Sequence, residues 1–143
     1  MANEKMTIIY LTAARADWGY HLNQLKPAFN GSDSARAEFE EMAERLNSGA
    51  AALYLVKAKG VLIRFVGHVT DGVYHINAMT GRGLKHAAPL IIERCQAMGY
   101  QAISYHTYRN GMGRILRGFG FELDEQISQT ERRYLLGLEV SHG

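Results

Sequence analysis

The sequence predicts an α/β fold: a mixed β-sheet of about seven strands with helices on both faces. Two turn signals and one crossover carry that prediction. Lys59-Gly60 and Asp71-Gly72 each separate apolar, β-branched runs. Asp-Gly between such runs favours a tight hairpin, so three consecutive strands meander antiparallel. After the third, a helical stripe from Leu84 to Met98 leads into another short strand, and a strand–helix–strand crossover sets its two strands parallel. A sheet holding both kinds of pair needs helices to cover its faces.

Met6–Thr12 is rich in β-branched and aromatic residues and reads as the first strand. Asp17 is placed to cap a helix through Trp18, Leu22 and Leu25, which Pro27 and Asn30-Gly31-Ser32 end. A second helix follows Asp33 or Ser34. Ala35, Phe39, Met42 and Leu46 recur on its dry side, with Glu38, Glu41, Glu44 and Arg45 on the wet one, and Ser48-Gly49 closes it. The meander is Ala51–Lys57, Val61–Thr70 and Val73–Met79. In its third strand Tyr74, Ile76 and Ala78 alternate against His75 and Asn77, so they fall on opposite faces.

Thr80-Gly81-Arg82-Gly83 reads as a glycine-bearing turn into the crossover helix. Leu84, Ala87, Ala88, Ile91, Cys95 and Met98 form that helix's apolar stripe. Pro89 would break a helix interior, so regular helix is expected to begin close to it, and Gly99 stops it. Ala102–His106 is a short strand. Met112, Ile115, Leu116 and Phe119 mark one face of a short helix, and strands Phe121–Ser128 and Arg133–Val140 flank a polar turn near Gln129-Thr130.

The 143 residues fit one domain spanning 1–143, and 47% hydrophobic content suffices for its core. Sixteen Lys and Arg against 14 Asp and Glu leave a net charge of +2, too mild to indicate a nucleic-acid partner. The single cysteine, Cys95, cannot form an internal disulfide and lies on an apolar stripe, which fits a core residue in a reducing compartment. No signal peptide or membrane span is visible, so a soluble, cytoplasmic protein is expected. His21, His68, His75, His86 and His106 lack ligand spacing, so no metal site is expected. Arg109, Arg114 and Arg117 give the last helix a basic side, fit for solvent or for a phosphate.

This order of elements resembles the GNAT acyltransferase fold across nearly the whole chain, and two segments add to the likeness. Arg82-Gly83-Leu84-Lys85-His86-Ala87 is similar to that family's coenzyme A pyrophosphate loop, Arg/Gln-x-x-Gly-x-Gly/Ala: Arg82 and Ala87 match, and Lys85 stands where the middle Gly is expected. Arg109-Asn110-Gly111 through Gly120-Phe121-Glu122 resembles the helix and Gly-Phe ending that follow the family's fifth strand. The composite also looks like small GNAT-like proteins encoded by bacteriophages.

The resemblance implies acetyl-CoA as cosubstrate. Its pyrophosphate would meet the unpaired N–H groups at a helix start, with Arg82, Gly83, Lys85, His86 and Ala87 around it and Asn110 nearby. Its pantetheine would lie between Val73–Met79 and Ala102–His106, against backbone groups near Ile76 and Ala78. Arg82 and Lys85 equally fit a solvated turn, and Gly81 and Gly83 plain turn geometry.

The family often supplies the leaving thiolate with a proton from a Tyr four residues before the Gly of Gly-Phe; here that position is Leu116. Tyr105 and Tyr108 lie close in sequence and are the candidate substitutes, although buried tyrosines more often pack. His75 and Asn77 would position water or substrate in the cleft. The implied function is acetyl-CoA-dependent N-acetyl transfer to a primary amine, on a small molecule or a protein acceptor. The missing Tyr keeps open a non-catalytic GNAT-like phage accessory or protein-binding module, and the arginine-bearing helix a weaker nucleic-acid reading. A homodimer is compatible with the resemblance.

Overall fold

The computed structural model describes residues 5–138. They build β1 (Thr7–Leu11), α1 (Trp18–Asn23), a 3-10 helix (Lys26–Phe29), α2 (Ala35–Ser48), β2 (Ala52–Ala58), β3 (Val61–Thr70), β4 (Val73–Arg82), α3 (Leu84–Ala97), β5 (Ala102–Thr107), α4 (Met112–Arg117), β6 (Glu122–Gln126) and β7 (Arg132–Gly137). The seven strands form one mixed sheet in the order β1-β2-β3-β4-β5-β7-β6. The predicted fold class is the observed one. Residues 139–140, the end of the predicted last strand, lie outside the described residues.

β1 to β4 meander antiparallel. Asp71 and Gly72 turn the β3–β4 hairpin with φ of 51° and 80°, the left-handed pair that a two-residue hairpin matched to strand twist requires. β4 and β5 are parallel, joined by α3, and β5, β7 and β6 close the sheet antiparallel. One core cluster packs α3 and α4 against Val61, Ile63, Phe65, Ile76, Ile103 and Tyr105. The other packs the 3-10 helix and α2 against Leu53, Leu55, Val66 and Ala78. Helices therefore cover both faces, α1 and α2 on one side and α3 and α4 on the other.

Several local expectations are corrected. The first helix stops at Asn23, and Pro27 opens the 3-10 helix, where its fixed φ fits and its missing N–H costs nothing. Asp17 sits at the N-cap of α1 but its carboxylate caps no backbone N–H; the Arg15 and His21 side chains take it instead. Thr80-Gly81-Arg82 is strand, paired with Arg64, Ile63 and Leu62. Gly81 allows it, because a Cβ there would run into the Leu62 carbonyl. α3 begins at Leu84 and carries Pro89 inside it. Pro89 and Lys85 are both exposed, so water can reach the Lys85 carbonyl that loses its N–H partner. Met98 is 67% exposed, because it caps the helix past the last turn that meets the sheet.

A β-bulge corrects the faces of β4. Val66 pairs with Ala78 and Gly67 with Ile76, so Asn77 has no partner. The extra residue rotates the strand. Ile76 then joins the α3–α4 core while Ala78 joins the α2 core, against the simple alternation expected.

Candidate functional site

The site is organised by a fork in the sheet. β5 pairs with β4 only from Val73↔Ala102 to Ile76↔Tyr105, while β4 runs on to Arg82. Beyond Ile76 the β4 edge has no strand partner on that side among the described residues, so its backbone groups can bond an extended ligand. Met79 stands at the fork between cavities on the two faces of the sheet.

On the α3–α4 face the fork is apolar. Leu116 is buried on α4 and lines a cavity of about 20 Å³ with Ile76, Met79, Ile103, Tyr105 and Phe121. Tyr105 is thus brought beside the position where Leu116 stands, its ring 6.5 Å from Phe121. Burial holds its phenol above the ordinary value, so it stays protonated at neutral pH. Gly83 caps α3 with φ 92°, and a Cβ there would come within 2.7 Å of the Gly60 carbonyl, so only glycine fits beneath the β2–β3 hairpin. The N–H groups of His86 and Ala87 bond the Gly83 carbonyl at 3.0 Å each. That leaves Leu84 and Lys85 N–H as the free donors of this helix start. Its first turn holds no acidic residue; Lys85 and His86 are exposed there, and Ala87 is fully buried.

On the α2 face the fork is polar. A cavity of about 270 Å³ is lined by Glu38, Glu41 and Arg45 of α2, Asn77 at the bulge, His106 and Tyr108 of the β5 end, and Glu131 before β7. Tyr108 donates to Glu38 Oε2 at 2.6 Å. His68 Nδ1 and Asn77 Oδ1 are 2.8 Å apart, His68 stacks on His75 at 4.9 Å, and His75 lies 6.4 Å from His106. Burial, then Arg133 and the other histidines, lowers the His106 pKa to about 4, so this imidazole is neutral. Glu131 Oε2, 3.7 Å from His106 Nδ1, is too far to hydrogen-bond and does not offset that burial. Burial and the nearby Glu38 push the Glu131 carboxyl upward.

The sequence-derived candidates therefore divide. Asn77 and Tyr108 line the cavity on the α2 face, His75 lies behind it against His68 and His106, and Tyr105 and Ile76 lie on the α3–α4 face. Ala78 packs under α2. Arg82 faces the α1 side of β4, lining a third cavity with Gln24, Arg64 and Arg109. Asn110 is exposed and accepts from Arg132 at 3.3 Å. Glu38, Glu41, Arg45 and Glu131 line the polar cavity without having been singled out as site residues, and His68 joins it only through its bond to Asn77. For α2 a signal existed: Glu38, Glu41 and Arg45 share one side of the helix. For Glu131 there was none, since a polar turn residue reads as solvated.

No family model matches the chain, and no curated protein does. Solved structures do. An acetyltransferase of the GNAT family from Staphylococcus aureus superposes with a TM-score of 0.63 at 11% identity, covering 94% of this chain and all of the other. Spermidine N-acetyltransferase from Vibrio cholerae, in complex with CoA and spermine, gives 0.64 at 12% identity over 93% and 95%. The ribosomal-protein-S18-alanine N-acetyltransferase of Escherichia coli gives 0.58 at 10% identity over 97% and 96%. The chain therefore has the GNAT fold.

Proposed function

We propose that the chain is a GNAT-superfamily N-acetyltransferase that moves an acetyl group from acetyl-CoA to a primary amine. The observation that carries this reading is the parting of parallel β4 and β5 after Ile76 and Tyr105, with an acid-lined cavity on one face and an acid-free helix start on the other. The chain's groups fit the cosubstrate. The free edge of β4 near Ile76 and Ala78 offers backbone bonds to a pantetheine. Leu84 and Lys85 N–H, with the Lys85 and His86 side chains, offer donors to a pyrophosphate. Lys85 adds a cation where it removes the close approach a glycine would give.

Acetyl-CoA, when bound, supplies the thioester that reacts. The chain's residues handle the protons. Glu38, Glu41 and Glu131 attract an ammonium group into the polar cavity. Glu131, whose raised pKa brings it nearer to working pH, takes the amine proton as the new C–N bond forms. Neutral His106 and the His68–Asn77 pair orient the acceptor. The departing sulfur takes a proton from the Tyr105 hydroxyl or leaves as thiolate, which an unperturbed thiol pKa of about 8.5 permits.

A single domain over 1–143, a cytoplasmic place and a bacteriophage origin belong to the same proposal and rest on the sequence. No helix among the described residues is long and apolar enough to cross a membrane. Calorimetric titration with acetyl-CoA, followed by thiol release across a panel of amines, tests the function. Binding and amine-dependent release are expected. Neither binding nor release would leave a non-catalytic protein of this fold.

A further inference from the structure

The cavity that Arg82 lines is not explained by that chemistry. It has a volume of about 480 Å³ and lies on the α1 side of the sheet, bounded by Gln24, Pro27, Asn30, Leu62, Arg64, Met79, Thr80, Gly81, Arg82 and Arg109. Three arginines line it and no carboxylate does. Among the described residues, none of the three makes an ion pair.

Arg64 is the telling member. It is only 6% exposed, on the middle of β3, and its Nε donates to His21 Nδ1 at 3.0 Å. A guanidinium can only donate, so His21 Nδ1 must carry the lone pair and the ring proton sits on Nε2. That Nε2–H faces Asp17 Oδ2 at 3.1 Å, and Arg15 in turn holds Asp17 at 2.8 Å. The relay fixes the direction of Arg64 through a neutral ring, and the Tyr20 ring lies 5.5 Å from its guanidinium carbon, so its charge meets an aromatic face but no carboxylate. A guanidinium largely withdrawn from water, with no carboxylate beside it, gains from an anion that enters the cavity. Its remaining N–H groups form a planar fork that suits carboxylate or phosphate oxygens.

We propose that this cavity holds a phosphate or carboxylate group of the acceptor, with Arg64 and Arg109 as its principal ligands and Arg82 at the rim. This rests on the transferase reading and narrows it to amines that also bear an anion. The acceptor is assigned as the source because the cavity opens on the α1–α2 face, as the acid-lined one does. The α3 start that offers donors to the coenzyme's pyrophosphate packs on the other face. Phe29 and Tyr108 line the acidic cavity, and their chain neighbours Asn30 and Arg109 line the basic one, so the two lie side by side. One molecule can then place its amine among the glutamates and its anion among the arginines.

The test titrates the full chain, saturated with coenzyme A, with inorganic phosphate and with acetate. Binding of at least one is expected, weakened about tenfold or more by Arg64→Gln and by Arg109→Gln, with coenzyme A affinity changed less than about twofold. Arg109 is exposed, so its variant keeps the test valid if Arg64→Gln fails to fold. Three results overturn the proposal: neither probe binds; binding is unchanged in Arg109→Gln; or phosphate binds only without coenzyme A and both variants weaken coenzyme A instead. Coenzyme A that binds beside silent phosphate and acetate titrations removes the anion site and leaves the transferase. Arginine-dependent phosphate binding by a chain that ignores coenzyme A removes the transferase and leaves the anion site.

Discussion

The two faces of the sheet at the fork are built differently. On the α3–α4 side, one continuous segment from Ile76 to Ile91 supplies the β4 edge, the glycine cap and the helix start, and its surroundings are apolar. On the α1–α2 side, the polar cavity draws on Glu38, Asn77, His106 and Glu131, and the basic one on Arg64, Arg82 and Arg109. The proposed coenzyme suits the first construction. Selection of one acceptor suits the second, where side chains from separate helices, strands and loops meet. If that division holds, substitutions on the two faces should fail in different ways.

The largest effect is expected on the polar side. Glu131→Gln should lower the acetylation rate about 10²–10⁴-fold, as for other lost proton acceptors, while denaturant unfolding changes little. A variant of near wild-type rate would remove Glu131 as the base. The converse holds for Ile103, fully buried against α3 and α4. Ile103→Ala should cost about 2–5 kcal/mol of stability in urea unfolding, with turnover per folded molecule largely retained.

Arg82 sharpens the boundary between the faces. Were its side chain a direct pyrophosphate ligand, Arg82→Glu would weaken coenzyme A by about 1–3 kcal/mol at low salt. Its place on the α1 side of β4 makes a loss at the low end of that range the expected result, with the greater loss in phosphate binding. Calorimetry on both ligands separates the two.

The smallest effect is a pH dependence of stability. His106 has its pKa lowered to about 4 by burial, so the folded protein resists a proton that the unfolded chain accepts near 6.5. Its contribution is complete above that ordinary value and declines as pH falls toward the folded one. Glu131 acts oppositely: its carboxyl is raised, so its contribution is present at low pH and is lost as pH rises through the folded value. Unfolding midpoints between pH 7 and 4 should fall less steeply in His106→Gln than in the parent. Equal slopes would mean that His106 is well solvated.

The sequence alone determined what depends on near neighbours. Asp71-Gly72 dictates its hairpin through backbone sterics, the Leu84–Cys95 stripe dictates a helix through its period, and the crossover between β4 and β5 dictates a parallel pair through chain handedness. The order of elements follows, and with it the fold and the fork. Only the tertiary structure decided which side chains meet at the fork. A single unpaired residue, Asn77, turns β4 so that Ile76 and Ala78 face opposite cores, and no periodicity marks a bulge in advance. Arg64, an ionic residue in an apolar strand, became legible only when His21, 43 positions away, was seen to hold it. Glu131 reads as solvent-facing until β7 brings it beside His106. Strand pairing sets such meetings at long range, and the residues that join across it carry no common spacing in the chain.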